Sequence, residues 1–164
     1  MKRIILLLLL FVTPVFGETF SISGPIKYNG EYHVVISGTY DSNSFKEFKK
    51  LYDEHKNEVL IVHANSPGGN ADDIIKIMDL VREHNKTIWV VSDKSVCDSC
   101  CALTAISSKQ VYGKLRFHGI TNSTTGKLNP FMNAQVMNRL SSYGIPNSQI
   151  QMMLGYVLVP FNYE

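Results

Sequence analysis

Outside a single five-residue window this chain has no cysteine: Cys97, Cys100 and Cys101 are the three it contains. A disulfide framework of the small secreted kind is therefore excluded, and the fold must rest on a packed core. No block of Lys and Arg stands out, and the formal net charge is only +2. The electrostatic footprint by which a chain holds nucleic acid is missing. No repeat, low-complexity tract or linker interrupts the 164 residues, so one domain is expected. After residue 17 no apolar run approaches the ~20 residues that cross a bilayer.

What is present at the N-terminus reads as an export signal. Lys2 and Arg3 precede the apolar run Ile4 to Val12, which Thr13-Pro14 breaks. Val15-Phe16-Gly17 then puts small or β-branched residues before Glu18. Cleavage after Gly17 is expected, leaving 18–164 as the mature domain, periplasmic or secreted, without a membrane anchor. A spanning helix would need a longer run without Pro14. In an oxidising compartment the cysteine cluster should form one short-range disulfide and leave one thiol.

Along the chain, apolar patterning gives an alternation of strands and helices. Phe20 to Ser23 is a short strand ended by Gly24-Pro25, and Glu31 to Tyr40 a second. Asp41 to Ser44 starts a helix that buries Phe45, Phe48, Leu51 and Tyr52. Glu58 to Ala64 is a near-continuous apolar run, as in a strand buried on both faces. Ser66 to Gly69 turns the chain, and Asn70 caps a helix with a stripe at Ala71, Ile74, Ile75, Met78 and Val81. Thr87 to Ser92, Val111-Tyr112 and Leu115 to His118 read as strands, and Ala102 to Ile106, Pro130 to Ser142 and Ser148 to Leu154 as helices. The class is α/β: β-α-β repeats with a mostly parallel sheet and C-terminal helices.

Three features could carry chemistry. Asn65-Ser66-Pro67-Gly68-Gly69 follows a buried strand; paired glycines let backbone N–H groups approach a ligand, although a plain strand-to-helix turn needs the same residues. Ser99, inside Cys97-Asp98-Ser99-Cys100-Cys101, sits at a strand-to-helix turn, where it is either an exposed nucleophile or a helix cap. His118 closes a strand, where it is either a base for that serine or a structural hydrogen-bonding group. His33, His55, His63 and His84 lie inside or at the ends of other elements and are weaker candidates.

Taken together, strand–NSPGG–helix–strand–C-x-S-x-C–helix–strand–His resembles the proteolytic subunit of Clp protease and the related crotonase-like superfamily. The likeness spans Tyr32 to Ile120, with a looser echo to Leu154, and is nearest to exported Clp-like proteins with a Cys-x-Ser-x-Cys motif. It implies a serine hydrolase, acting on peptides or proteins, with Ser99 as nucleophile and His118 as general base. Gly68 or Gly69, with Cys100, would form the oxyanion hole, and Cys97 and Cys101 would pair around the serine. Neither a metal nor another cofactor is implied. The family's pattern fails in two places. The segment from Ser99 to His118 is a few residues short, and no Asp or Glu occurs between Gly119 and Tyr163 to orient the histidine. An Asn could serve instead, the candidates being Asn122, Asn129, Asn133, Asn138, Asn147 and Asn162.

Three rival readings stay open. A catalytically inactive binding protein could use the same fold. Cys97-Asp98-Ser99-Cys100 is also a C-x-x-C, as in thiol-disulfide redox proteins, although it lies well past the middle of the chain. Zinc could take Cys97, Cys100, Cys101 and His118, without the two separated ligand pairs usual for a structural site. The apolar tail, Leu154 to Glu164, is expected to pack on the core or on another subunit, which admits a homo-oligomer.

Overall fold

The computed structural model describes residues 18–155. The leader read over 1–17 and most of the apolar tail lie outside the described residues. The elements are β1 (Ser21–Tyr28), β2 (Glu31–Ser37), α1 (Ser44–Glu54), β3 (Leu60–Asn65), α2 (Ile74–His84), β4 (Thr87–Val90), α3 (Cys100–Ile106), β5 (Gln110–Tyr112), α4 (Pro130–Ser142) and α5 (Asn147–Leu154). The five strands form one sheet in chain order. β2 to β5 are mutually parallel, and β1 pairs antiparallel with β2.

Parallel pairing follows from the helical crossovers between β2, β3, β4 and β5, because a parallel neighbour cannot be reached by a tight turn. Register puts Val34, Val62, Trp89 and Val111 in one row across the sheet. That row is buried against the helices. Phe48 on α1 stacks over Trp89 and Tyr52, with Phe20 and Tyr40 closing the aromatic group. The next row, Val35, His63, Val90 and Tyr112, points to the opposite face. There Val35 and Tyr112 are exposed.

Four expectations need correction. Gly24-Pro25 does not end the first strand. The peptide bond is cis, the register shifts between Ser23 and Ile26, and the strand continues to Tyr28. The second strand stops at Ser37 rather than Tyr40, because Gly38 takes a positive φ, where an added Cβ would run into the Thr19 carbonyl. Leu115 to His118 is not a strand; it touches the sheet's extension only through a bridge between Asp98 and Arg116. Asn70 does not cap α2 either, since its side chain accepts the Asp72 N–H in a local turn and the helix starts at Ile74. By contrast α4 starts where expected, with Pro130 in its first turn and Asn129 accepting the Met132 N–H.

Phe48 is fully buried among four aromatic neighbours. Phe48→Ala is expected to lower unfolding stability by about 3–5 kcal/mol in urea titration. A loss under 1 kcal/mol would mean that this cluster is not the core.

Candidate active site

β3 delivers the chain into the turn at 66–69, and Ser66 ties that turn down. Its buried hydroxyl donates to the Gly38 carbonyl at 2.6 Å and accepts the Gly68 N–H at 3.1 Å. Its backbone pairs with the cysteine loop, through Ser66 N–H to Val96 O and Asp98 N–H to Ser66 O. On the other side, Tyr40 donates to the Gly68 carbonyl and accepts from Asn70 N–H. This bridge leaves the Gly69 N–H out of the ladder, and that group makes no hydrogen bond among the described residues.

Ser99 lies directly against the turn. A Cβ on Gly68 would sit 2.6 Å from Ser99 Cβ and 3.1 Å from Cys100 N. Ser99 takes φ 53° and ψ −118° at the entry to α3. Left-handed φ is uncommon for a residue with a side chain, and it turns the side chain outward from a strand-to-helix corner. The hydroxyl makes no capping bond to α3, so the helix-cap reading of Ser99 does not hold. The Cys100 N–H heads the helix, where no intrahelical acceptor exists for it.

Cys97 and Cys101 form a disulfide that brackets this corner, and both are buried. The pairing is the one implied by the family resemblance. It takes both sulfurs away from a zinc site, and it is not the Cys97–Cys100 pair that the redox reading requires. Cys100 remains a buried thiol directed at the Gly69 carbonyl at 3.4 Å. Burial pushes it up to about 11, partly offset by the neighbouring Ser99 hydroxyl. A thiol so displaced is a packing group at neutral pH rather than a nucleophile.

The segment carrying His118 is stapled to the serine corner. Ser99 N–H donates to Arg116 O at 2.9 Å, and Arg116 N–H donates to Cys97 O at 3.0 Å. The Arg116 guanidinium holds the Asp98 carboxylate with two contacts of 2.6 Å. His118, two residues on, is half-buried and lines a cavity of about 360 Å³ with Gly69, Asn70, Asp72, Asn129 and Met132. Its Nδ1 lies 2.8 Å from the Gly119 carbonyl oxygen. A carbonyl only accepts, so Nδ1 carries a proton, and in the neutral ring Nε2 is then the nitrogen with the lone pair. No hydrogen bond joins Ser99 Oγ to His118 in this structure. Catalytic hydrogen bonds are often open in unliganded sites.

None of the described Asn candidates reaches His118 directly. Asn122 accepts two N–H groups of its own loop, and Asn129 caps α4. Asn133 clamps the chain at Ile120. Asn162 lies outside the described residues. The other histidines are used elsewhere. His84 bonds Thr87 and the His55 carbonyl, and His33 and His63 pair across β2 and β3 at 3.1 Å. Burial, then the charge of its neighbour, holds His63 below the ordinary imidazole value. The sequence assigns no role to Asp72 or Arg116, and it offers Ser66 as part of the 65–69 turn without its tie to Gly38. Asp72 lies upstream of the serine, where no acid was sought, and the Asp98–Arg116 contact joins positions that no motif spacing links.

No family model matches the chain, and no curated protein is similar enough in sequence to count as a match. Solved structures do resemble it. A mutant of the 1510-N membrane-bound stomatin-specific protease matches with a TM-score of 0.51 at 15% identity, over 74% of this chain and 67% of that one. Pseudomonas aeruginosa DspI matches with a TM-score of 0.52 at 11% identity, over 85% of this chain and 62% of that one. An enoyl-CoA hydratase from Geobacillus kaustophilus HTA426 follows at a TM-score of 0.47, which carries no argument. This chain thus spans about two thirds of the length of its structural neighbours. The likeness concerns the fold alone: a mixed α/β fold built on a mostly parallel five-stranded sheet.

The buried thiol gives a direct check. With Cys100 raised from 9.0 to about 11, alkylation by iodoacetamide at pH 8 is expected to be at least about 100-fold slower in the folded protein than in urea. The rate should climb as pH rises through 11. Equal rates in both states would return Cys100 to the list of reactive thiols.

Proposed function

We propose that this chain is an exported serine hydrolase that cleaves peptide bonds, with Ser99 as nucleophile and His118 as general base. The observation that carries the reading is the Ser99 corner itself. An uncapping hydroxyl is held at left-handed φ against Gly68, with the Cys100 N–H heading the adjacent helix. In this reading Nε2 of His118 takes the proton from Ser99 Oγ as the oxygen adds to the substrate carbonyl. The developing oxyanion accepts from Cys100 N–H and from Gly69 N–H. Gly68, whose N–H is already given to Ser66, contributes by its lack of a Cβ. Such donors act in the transition state and are each worth about 100- to 1000-fold in rate. Protonated His118 then returns its proton to the leaving amine, and water repeats the cycle on the acyl-serine. No metal or cofactor enters this scheme.

Export to the periplasm or beyond belongs to the same proposal. It is supported by the leader pattern at residues 1–17 and by the Cys97–Cys101 disulfide, which persists in oxidising compartments. The substrate class is short or unfolded peptide, because no ATP-driven unfoldase works there. A homo-oligomer is supported by the open sheet face, where Ile26, Tyr28, Val35 and Tyr112 are exposed.

One observation favours a second reading, a catalytically inactive binding protein: the missing bond between Ser99 and His118. Fluorophosphonate labelling of the mature, oxidised protein separates the two. Labelling is expected, lost in Ser99→Ala and at least about 100-fold slower in His118→Ala. A folded wild-type protein that stays unlabelled would overturn the hydrolase reading and leave the binding protein.

A further inference from the structure

The site has a base without an acid behind it, and the hydrogen bonds around His118 point to what stands in that place. The Gly119–Ile120 peptide unit has two polar ends, and both are engaged. Its carbonyl oxygen accepts His118 Nδ1–H at 2.8 Å. Its N–H, on Ile120, donates to Asn133 Oδ1 at 2.9 Å. A single peptide plane therefore connects the Asn133 amide to the imidazole. Donation from the N–H end pushes electron density through the resonant C–N bond onto the oxygen and makes the carbonyl a better acceptor.

Asn133 is itself fixed. Its Nδ2 donates to Ile120 O at 2.8 Å and to Asn129 O at 2.7 Å. Two carbonyls face one end of the amide and an N–H faces the other, so just one amide orientation satisfies all three. Asn129 N–H also donates to Ile120 O, which locks the start of α4 to the same stretch. Gly119 is buried, and a Cβ there would meet Leu128 Cδ2 at 2.6 Å and Leu154 O at 3.1 Å. The carbonyl that faces His118 is thus held from both sides.

We propose that Asn133 is a positioning residue for the base: acting through the Gly119–Ile120 peptide unit, it fixes His118 as the Nδ1–H tautomer and supports the imidazolium that forms when Nε2 accepts a proton. The catalytic consequence rests on the hydrolase reading above; the tautomer does not. Asp72, a carboxylate lining the same cavity, is the competing candidate for this role, and it makes no bond to His118.

The test is nitrogen-15 NMR of His118 in the mature, oxidised protein, alongside fluorophosphonate labelling rates. Wild-type protein should show the Nδ1–H tautomer above the imidazole titration. Asn133→Ala should shift it toward a mixture of tautomers and slow labelling about tenfold, the lower end for losing an outer-shell hydrogen bond. Asn133→Gln, which keeps both acceptor and donors, should restore the tautomer, and Asn133→Asp, which loses the donors to Ile120 O and Asn129 O, replaces the alanine variant as the perturbing change if that one does not fold. Asp72→Asn should leave the tautomer unchanged. An Nε2–H tautomer in the wild type, or a tautomer that follows Asp72 and ignores Asn133, would overturn the proposal. If no protein labels while the tautomer still follows Asn133, the hydrolase reading fails and the positioning role stands.

Discussion

The arrangement depends on two adjacent residues having no side chain. Gly68 and Gly69 sit where three stretches of backbone converge: the segment after β2 at Tyr40, the turn after β3, and the Ser99 corner. A Cβ at 69 would come within 2.7 Å of the Tyr40 backbone nitrogen, and one at 68 within 2.7 Å of the Asp98 carbonyl. Both residues also take positive φ, 90° and 143°, which L side chains rarely tolerate. No flexible side-chain end lies opposite Gly68's missing Cβ; the neighbours are Ser99 Cβ and backbone atoms. The close approach lets one turn serve two neighbours at once. It bonds to Tyr40 on one side, and on the other it brings the 66–69 backbone against the N-terminus of α3.

Given that contact, the second constraint is the strained backbone of Ser99. A residue with a side chain at such φ and ψ typically costs about 1–3 kcal/mol, and it persists where its surroundings over-determine it. Here they do. The residues on either side, Cys97 and Cys101, are linked by the disulfide. Ser99 N–H is bound to Arg116 O, and Ser99 O accepts from Leu103 N–H. The Asp98 carboxylate is gripped by the Arg116 guanidinium, a two-contact geometry stronger than an ordinary surface ion pair. All these restraints act within two residues of Ser99, and the Arg116 ones also tie down the chain that carries His118. The Ser99 corner and His118 are thereby positioned by one set of bonds.

Much of this was legible in the sequence, for identifiable reasons. β3 and α2 were readable because a buried parallel strand and an amphipathic helix impose apolar periods that residue types reveal directly. The two-glycine turn was readable because the backbone geometry there admits little else. The parts that were not readable depend on contacts between distant positions. The extension of β1 past Pro25 needs a cis peptide bond and a register shift, neither of which leaves a hydrophobic period. Leu115 and Phe117 alternate with polar neighbours as a strand would, yet they are buried by loop packing without a full ladder. The family resemblance puts the acid downstream of His118, where residues 119–163 hold none. The bonding partner found is a backbone carbonyl, which no residue type can announce.

That carbonyl also bears on whether the site is weak or inert. An acid behind a catalytic histidine has two jobs, holding the tautomer and stabilising the imidazolium. The first is the larger, since the wrong tautomer costs about 10,000-fold. In the hydrolase reading the Gly119 carbonyl does the first job, because a group that can only accept leaves one choice for the Nδ1 proton. It does the second job in part, since a neutral acceptor gives roughly half the strength of a charged one. In the hydrolase reading, the lack of Asp and Glu between Gly119 and Tyr163 therefore weakens the second contribution and leaves the first in place. What then distinguishes an active site from an inactive one on this fold is whether Ser99 Oγ and Nε2 close to hydrogen-bond distance when a substrate fills the cavity beside Gly69.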